Sequence, residues 1–219
     1  MEGISLGGNP MKVAAIIPAY NEGMRIGNVL DVLQRVPQVD EVIVVSDGSE
    51  DDTVDVALQY DVTVIALPQN IGKGGAMKIG CDYSKGDIYL FLDADLIGLQ
   101  EEHVTALLEP VLFDQADMTV GIFGNGRLAT DFAQKVAPFL SGQRAVKKSV
   151  LNGIDQMDAT RYGVEVALTR YAENSGIRVK GVVLPDLTHV MKEEKLGFVR
   201  GFCARLKMYW EIVKSVKIG

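Results

Sequence analysis

The chain has 219 residues, of which 47% are hydrophobic and 23% are charged, a balance typical of soluble globular proteins that bury a substantial core. Its formal net charge of -7 argues against a nucleic-acid partner, because nucleic acids attract basic surfaces. Two cysteines are too few for a disulfide framework, and no apolar run approaches the roughly 18 residues that span a bilayer, so we expect a cytoplasmic protein.

Alternating strand and helix patterns predict an α/β fold. The first apolar strand, Val13 to Ile17, precedes a helix whose apolar residues between Ile26 and Leu33 recur at helical spacing. Further buried strands are predicted at 42–45, 62–67, 88–92 and 118–123, and another begins at 182. Because strands joined by helices form right-handed βαβ units, we predict a single domain with a mostly parallel sheet flanked by helices.

The turn after the second predicted strand contains several acidic residues. Ser49 and Asp52 have the spacing of a capping box and predict a helix that runs through Tyr60. The acids at 50–52 suit the positive end of that helix, and we interpret them as structural. Asp47 differs, because it ends a strand just before a glycine, where its side chain can face the crevice at the carboxyl ends of the strands.

Lys73 lies in a glycine-rich turn, residues 68–75, between a predicted strand and the next helix. In such a turn its side chain and neighbouring backbone N–H groups can reach a phosphate. The turn is not a Walker A loop, because Gly74 stands where that loop has serine or threonine. The segment 124–129 resembles a dinucleotide fingerprint, but we discount it because it does not open the first βα unit and no acid follows about 20 residues later.

Two carboxylates, Asp93 and Asp95, follow the apolar strand predicted at 88–92. Ligands bind open α/β sheets beyond the carboxyl ends of the strands, and paired carboxylates suit Mg²⁺ or Mn²⁺ bridging a diphosphate. The alternative is a solvated loop, since aspartate is common in turns. His103, in an amphipathic helix predicted at 101–113, is expected on the surface.

Four motifs occur in one order, and as a set they resemble glycosyltransferase family 2, whose members have the GT-A fold. They are Pro18-Ala19-Tyr20-Asn21-Glu22, Val44-Val45-Ser46-Asp47-Gly48-Ser49, Asn70-x-Gly72-Lys73-Gly74 and Asp93-Ala94-Asp95. Over about residues 12–113, this resemblance implies a nucleotide-diphosphate sugar donor of the UDP or GDP type. The donor-binding residues that it implies are Ala19, Tyr20, Glu22, Asp47, Lys73 and Asp93. It also implies that Asp95 binds the metal.

The second half, residues 114–196, resembles glucosyl-3-phosphoglycerate and mannosylglycerate synthases around 141–144 and 162–168. That resemblance implies that Gly142 and Arg144 meet an acidic acceptor and that Glu165 faces the transferred sugar as a catalytic residue. It further implies that His189 completes the metal shell. Glu165 can instead be a partner of a helix dipole, and a lone histidine is often structural.

The last segment, 197–219, has an apolar stripe from Phe198 to Val216 and predicts an amphipathic helix. This helix either docks on the domain or contacts a membrane surface peripherally. The predicted function is metal-dependent transfer of a hexose to a small acidic or lipid-linked acceptor. A polyprenyl-phosphate glycosyltransferase at the membrane surface and a nucleotide-sugar-binding module without transfer are the alternatives, and a homo-oligomer stays open.

Overall fold

The computed structural model describes residues 11–124, 141–153, 168, 171–172 and 175–189. The chain divides into two compact units, Met1–Thr188 and His189–Gly219. Apart from His189, every described residue belongs to the first unit. The predicted C-terminal helix, most of the segment 124–129 and Glu165 lie outside the described residues.

The strands in these ranges are β1 (Val13–Ala19), β2 (Glu41–Ser46), β3 (Thr63–Ala66), β4 (Ile88–Phe91), β5 (Leu96–Ile97), β6 (Met118–Gly124), β7 (Arg144–Lys147), β8 (Val179–Pro185) and β9 (Thr188–His189). The helices are α1 (Gly23–Leu33), α2 (Thr53–Ala57), α3 (Lys73–Tyr83), α4 (Glu101–Leu112) and α5 (Lys148–Asn152). Within the described ranges, no helix is both long enough and apolar enough to cross a membrane.

Seven strands form one sheet in the order β3-β2-β1-β4-β7-β6-β8. The pairs among β1, β2, β3 and β4 are parallel, as is the pair β6 and β8. Only β7 of this sheet runs against its neighbours, pairing antiparallel with both β4 and β6. The two short strands β5 and β9 lie outside this sheet. The predicted α/β fold with a mostly parallel sheet is therefore confirmed.

Helices cover both faces of the central strands, which explains why those strands are almost wholly apolar. Alternate residues of β1 point to opposite faces: Ile16 packs in a cluster with Met77 of α3, and Ile17 packs in a cluster with Leu30 of α1. Full burial of such a side chain contributes about 1.5–3 kcal/mol. This packing fixes where each parallel strand ends, and so where the residues that follow it emerge.

Two sequence predictions are wrong: a helix that starts with a Ser49 cap and runs through Tyr60, and a surface position for His103. Helix α2 begins at Thr53 without a side-chain cap, and the Ser49 hydroxyl instead bonds with the hydroxyl of Ser46 and accepts from the Asn21 N–H. His103 is 3% exposed rather than on the surface, because its Nδ1 turns back to accept the Gln100 N–H at 3.2 Å. Ser49 and His103 thus both form hydrogen bonds with nearby turn residues, which the sequence pattern does not show.

Strand β7 was not predicted, although it lies in the middle of the sheet. Its four residues begin with Arg144 and end with Lys147, a pattern that resembles a charged loop more than a buried strand. Apolar residues at helical spacing up to Tyr171, followed by Asn174-Ser175-Gly176, predict a helix that starts near Glu165 and stops near Gly176. Among the described residues, Leu168, Tyr171 and Ala172 are helical, and Gly176 has a φ of 66°.

Candidate donor and metal site

The carboxyl ends of β1, β2 and β4 lie side by side. Ala19 pairs with Ser46, and the residue after Ser46, Asp47, donates its N–H to the Ala19 carbonyl at 2.8 Å. On the other side of β1, Ile16 pairs with Phe91, so Asp93 emerges at the same edge of the sheet. The three motifs that follow these strands therefore meet at one edge, where open α/β sheets bind ligands.

The turn from β1 into α1 is bonded to the first residue of α2 and to α1 itself. The Glu22 N–H donates to the Thr53 hydroxyl at 2.9 Å, and the Glu22 carboxylate lies 3.3 Å from Nη1 of Arg25. Ala19 and Glu22 are buried, whereas Tyr20, the residue after β1, is 46% exposed. The donor contacts predicted for these three residues stay predictions.

Asp51 links the turn from β1 into α1 to the start of α2. Its carboxylate accepts the backbone N–H groups of Gly23 and Thr53, each at 3.1 Å, and also the Thr53 hydroxyl. Burial alone would raise the pKa of Asp51, but these hydrogen bonds hold its pKa below the usual value. The structural role predicted for the acids at 50–52 fits this geometry at Asp51.

The Asp47 carboxylate binds the backbone of the glycine-rich turn that precedes α3. Its Oδ1 accepts the Ile71 N–H at 2.7 Å, and its Oδ2 accepts the Gly72 N–H at 2.9 Å. The next residue, Gly48, has a φ of 71°, and a Cβ there would lie 2.6 Å from the Asn70 backbone nitrogen. Only glycine lets the two turns approach so closely.

At the start of α3, Lys73 forms an ion pair with the first residue of the Asp-x-Asp motif. Its Nζ lies 2.6 Å from Oδ1 of Asp93. The other carboxylate oxygen, Oδ2, accepts a hydrogen bond from Nε2 of Gln143 at 2.9 Å. Asp93 is thus held at both oxygens, once by the glycine-rich turn and once by the segment that leads into β7.

Gly142 lies directly on this ion pair. A Cβ at this position would lie 2.7 Å from Nζ of Lys73 and 2.8 and 2.9 Å from the two Asp93 oxygens. The backbone of residues 141–144, which we call the 141–144 segment, therefore approaches Lys73 and Asp93 as closely as a backbone can. The structure brings together three residues predicted separately from the sequence, Lys73, Asp93 and Gly142.

Asp95 is buried at 7% exposure, and its carboxylate has no hydrogen-bond or ion-pair partner in the part of the chain that the structure describes. A carboxylate supplies oxygen ligands of the kind that Mg²⁺ or Mn²⁺ accepts, and the metal contact predicted for Asp95 stays a prediction. Among the described side chains, however, no three histidine, cysteine, aspartate or glutamate groups are arranged to hold a metal ion.

His189 and Glu165 are not tested by this geometry. The backbone of His189 ends β9, while its side chain and the whole of Glu165 lie outside the described residues. The segment before His189 nevertheless lies close to the Asp-x-Asp motif. A Cβ on Gly98, which follows Asp95 closely in sequence, would be 2.7 Å from the Asp186 carbonyl oxygen.

Arg144 is 1% exposed, so its predicted contact with an acceptor would have to be made inside the protein. Its Nε donates to the Ser141 carbonyl at 2.9 Å, and its Nη1 lies 4.0 Å from the Met118 sulfur. Arg144 therefore shapes the 141–144 segment from within. Its acceptor contact stays a prediction.

Sequence reasoning missed Gln143 and Thr53, which support the site from neighbouring segments. Gln143 bonds to a residue 50 positions away, and Thr53 bonds to one 31 positions away. No local pattern marks either residue, because each is defined only by its partner across the fold. Buried polar groups of this kind are found by their hydrogen bonds.

The chain is similar in sequence to known proteins. A family model, glycosyl transferase family 2, matches residues 14–180. The chain is 43% identical over 101 residues to the dolichyl-phosphate beta-glucosyltransferase of Drosophila melanogaster, covering 39% of this chain and 31% of that protein. It is 40% identical over 108 residues to the enzyme of that name from Mus musculus, covering 42% of this chain and 33% of that protein. The match thus spans about a third of these relatives' length.

Among solved structures, the chain is similar to glucosyl-3-phosphoglycerate synthase from Mycobacterium tuberculosis in complex with Mn²⁺, UDP and glucosyl-3-phosphoglycerate. The identity is 27% and the TM-score 0.72, over 85% of this chain and 75% of that chain. The complex of the same synthase with Mg²⁺ and UDP gives a TM-score of 0.71. The family model covers more than half of this chain, and the sheet and the order of the motifs agree with it. The chain belongs to glycosyl transferase family 2.

Proposed function

We propose that the chain is a hexosyltransferase that depends on a divalent cation and takes its sugar from a nucleotide-diphosphate sugar. The observation that carries this proposal is the ion pair of Lys73 and Asp93 at the sheet edge, followed two residues later by Asp95, which is 7% exposed and has no hydrogen-bond partner among the described residues. The similar synthase structures, which hold UDP with Mn²⁺ or Mg²⁺, support it.

The residues at the sheet edge suit a cation bound with a diphosphate. Asp95 would hold the ion together with His189, because carboxylate and imidazole are both accepted by Mn²⁺. When bound, such an ion neutralises the negative charge that develops on the leaving diphosphate. Asp93 would bind the donor beside the ion, and Lys73 would contact the diphosphate. The ammonium group has three N–H donors, so Lys73 can keep Asp93 and still donate to a phosphate oxygen.

The nucleoside would lie over the ends of β1 and β2. Tyr20 has an exposed ring that can pack on a base, with Ala19 and Glu22 beside it. Asp47 already accepts two backbone N–H groups, but each carboxylate oxygen can accept a second hydrogen bond. A base contact from Asp47 is therefore compatible with its role in the glycine-rich turn.

The acceptor side is assigned to the 141–144 segment, with Gly142 and Arg144 as the contacts and Glu165 as the group that orients or deprotonates an acceptor hydroxyl. If the reaction retains configuration, Glu165 would position the sugar instead. The relatives' names point to acceptors that share a phosphate ester, dolichyl phosphate in one set and phosphoglyceric acid in the other. We propose a phosphate-bearing acceptor, either small and acidic or lipid-linked.

A polyprenyl-phosphate acceptor is the second candidate, and it is favoured by the identity of 43% to a dolichyl-phosphate enzyme. In that case the segment 197–219, which lies outside the described residues, would contact the membrane surface. A vesicle-binding assay with the 219-residue chain and anionic vesicles would test this contact.

The test is a transfer assay with radiolabelled UDP-glucose and GDP-mannose in Mn²⁺, offered either 3-phosphoglycerate or a polyprenyl phosphate in detergent. Label in one acceptor, lost when Mn²⁺ is replaced by EDTA, supports the proposal and identifies the acceptor class. Tight donor binding without transfer to either acceptor, and without donor hydrolysis, would favour a binding module. Equal transfer in EDTA would contradict the metal assignment.

A further inference from the structure

Gln143 is a buried polar residue to which neither the motifs nor the comparisons give a role. It is 0% exposed, and its side-chain amide lies between two segments of the site. Nε2 donates to Oδ2 of Asp93 at 2.9 Å, and Oε1 accepts the Ser141 hydroxyl at 3.1 Å. An ionised carboxylate can only accept, so the NH₂ group must face Asp93, and the Ser141 hydroxyl holds the amide in that orientation.

The backbone of Gln143 is as firmly placed as its side chain. Its carbonyl accepts the Gly121 N–H of β6 at 2.8 Å, and its own N–H donates to the Ser141 hydroxyl at 3.3 Å. The amide therefore extends from a fixed point of the sheet to Asp93. It acts as a rigid support rather than as a mobile side chain that samples several partners.

Asp93 receives one donor at each carboxylate oxygen, Lys73 at Oδ1 and Gln143 at Oδ2. A carboxylate held at both oxygens cannot rotate about its terminal bond without losing a hydrogen bond. If Gln143 were absent, Oδ2 of Asp93 would lose this donor, and the carboxylate that pairs with Lys73 would be less firmly oriented. The two groups that we assign to the donor would then lose their relative placement.

We propose that Gln143 is a positioning residue, which fixes the carboxylate of Asp93 so that Asp93 and Lys73 meet the donor in one arrangement. It also joins the 141–144 segment to the donor site, since the same amide is oriented by Ser141. This inference rests on the proposed function, in which Asp93 and Lys73 bind a nucleotide-diphosphate sugar. Gln143 itself touches neither donor nor acceptor.

The test replaces the amide by a group of almost the same shape that can be switched by pH. In Gln143→Glu, a second carboxylate would lie beside Asp93, and two carboxylates at hydrogen-bond distance cannot both be ionised without strong repulsion. Lys73 is the described cation that faces them. When the introduced carboxyl group is protonated it donates to Asp93 as the amide does, and when it is ionised it repels Asp93.

We expect kcat/KM for the donor, expressed as a ratio of variant to parent, to fall as the pH rises. The ratio should be nearest to parity at the acid end of the assay range and lower by about 30-fold at the alkaline end, where both carboxyl groups are ionised. Gln143→Leu should be impaired at every pH, because it cannot donate. Gln59→Glu, an identical charge change on an exposed residue just after α2, should keep a ratio near one throughout.

The outcomes separate this inference from the proposed function. If the parent protein neither binds UDP with Mn²⁺ nor transfers sugar, the proposed function fails. If the parent is active and Gln143→Glu follows the parent at every pH, or is impaired equally at every pH, Gln143 does not position Asp93. Should Gln143→Glu not fold, Ser141→Ala tests the same support. Loss of the hydroxyl leaves buried groups of Gln143 without a partner, so it should lower the melting temperature and also lower kcat/KM for the donor about threefold in protein that is still folded at the assay temperature. A parental kcat/KM would overturn the inference.

Discussion

The turns after β1 and β2 and the 141–144 segment hold their polar side chains by different means. In the turns, carboxylates accept backbone N–H groups of neighbouring turns, as Asp47 does from Ile71 and Gly72. In the 141–144 segment, the hydrogen bond to the donor site joins two side chains, those of Gln143 and Asp93. The turns are thus held through their backbones, while among the described residues the segment contacts the donor site through the side chains of Asp93 and Lys73.

This difference predicts how each region responds to substitution. A change in the turns should displace a loop and weaken donor binding, because the backbone itself loses its support. A change in the 141–144 segment should leave the fold intact and disturb the placement of Lys73 and Asp93, since these side chains can move. The following predictions test that distinction, in order of expected effect.

Gly142→Ala should give the largest loss. The new Cβ would lie 2.7 Å from Nζ of Lys73 and 2.8 Å from Oδ1 of Asp93, so both side-chain ends must move. A displacement of this size can cost about 100-fold in kcat/KM, with little change in melting temperature because no backbone has to shift. Gly181→Ala is the control, since its Cβ would meet only the flexible end of Ile122 at 3.0 Å. Parental kinetics in Gly142→Ala would contradict the close approach.

Arg144→Ala should raise the acceptor KM with donor affinity unchanged. If the guanidinium holds an anionic acceptor, loss of a charge-assisted hydrogen bond of about 2 kcal/mol corresponds to roughly 30-fold. Because Arg144 is buried and bonded to Ser141, the melting temperature of the variant must be measured together with its kinetics. If the melting temperature falls strongly and the acceptor KM of the folded protein is unchanged, Arg144 has a structural role and does not contact the acceptor.

Asp47→Asn should raise the donor KM about tenfold, because an amide cannot accept two backbone N–H groups at its two ends and the glycine-rich turn would lose a charge-assisted hydrogen bond. Asp40→Asn is a matched control, since Asp40 accepts the Val13 N–H at 2.8 Å at the start of β1. Both variants should lose stability, and only Asp47→Asn should change the donor KM. An unchanged donor KM in Asp47→Asn would show that the glycine-rich turn held by Asp47 does not contribute to donor binding.

Asp117→Asn should change stability alone. Arg178 and Lys147 donate to this carboxylate at the amino end of the sheet, and the Arg178 hydrogen bond above all holds the pKa of Asp117 well below its usual range, outweighing burial. We expect a loss of about 1 kcal/mol near pH 7, which is a melting temperature lower by about 2–4 °C, with parental kinetics.

The pH dependence of that difference has a definite sign. Because the folded pKa of Asp117 lies below the unfolded value of 3.8, its contribution is fully present above 3.8 and is lost as pH falls toward the folded pKa. The gap in melting temperature between parent and Asp117→Asn should therefore narrow as the pH drops below about 4. A gap that is constant in this range would contradict the ion-pair explanation.

The parallel part of the fold could be predicted from the sequence because its physics is local. Strands covered on both faces appear as continuous apolar runs, and β1, β2, β4 and β6 lie where such runs occur. Strand β7 could not be predicted, since its four residues start and end with basic side chains. Its place between β4 and β6 is set by contacts that are distant in sequence.

The same distinction holds within the site. The positions of Asp47 and Asp93 followed from the rule that strand ends meet at one edge, and the structure brings Lys73 to Asp93. Ser49 was misassigned because its hydroxyl bonds to Ser46 and Asn21 rather than to a helix start. Gln143 had no local signal at all, because a buried glutamine is recognised only by the carboxylate that it meets 50 residues away.

The most direct test of the central claim is the affinity of the chain for UDP, measured by calorimetry with Mn²⁺ and with EDTA, in the parent and in Asp95→Ala. Asp87→Ala is the control, because Asp87 binds the Lys12 N–H at the opposite end of β4. We predict that Mn²⁺ tightens UDP binding at least about tenfold, or about 1.4 kcal/mol, in the parent and in Asp87→Ala, and that Asp95→Ala loses this gain while keeping its fold. An equal gain from Mn²⁺ in Asp95→Ala would contradict the account.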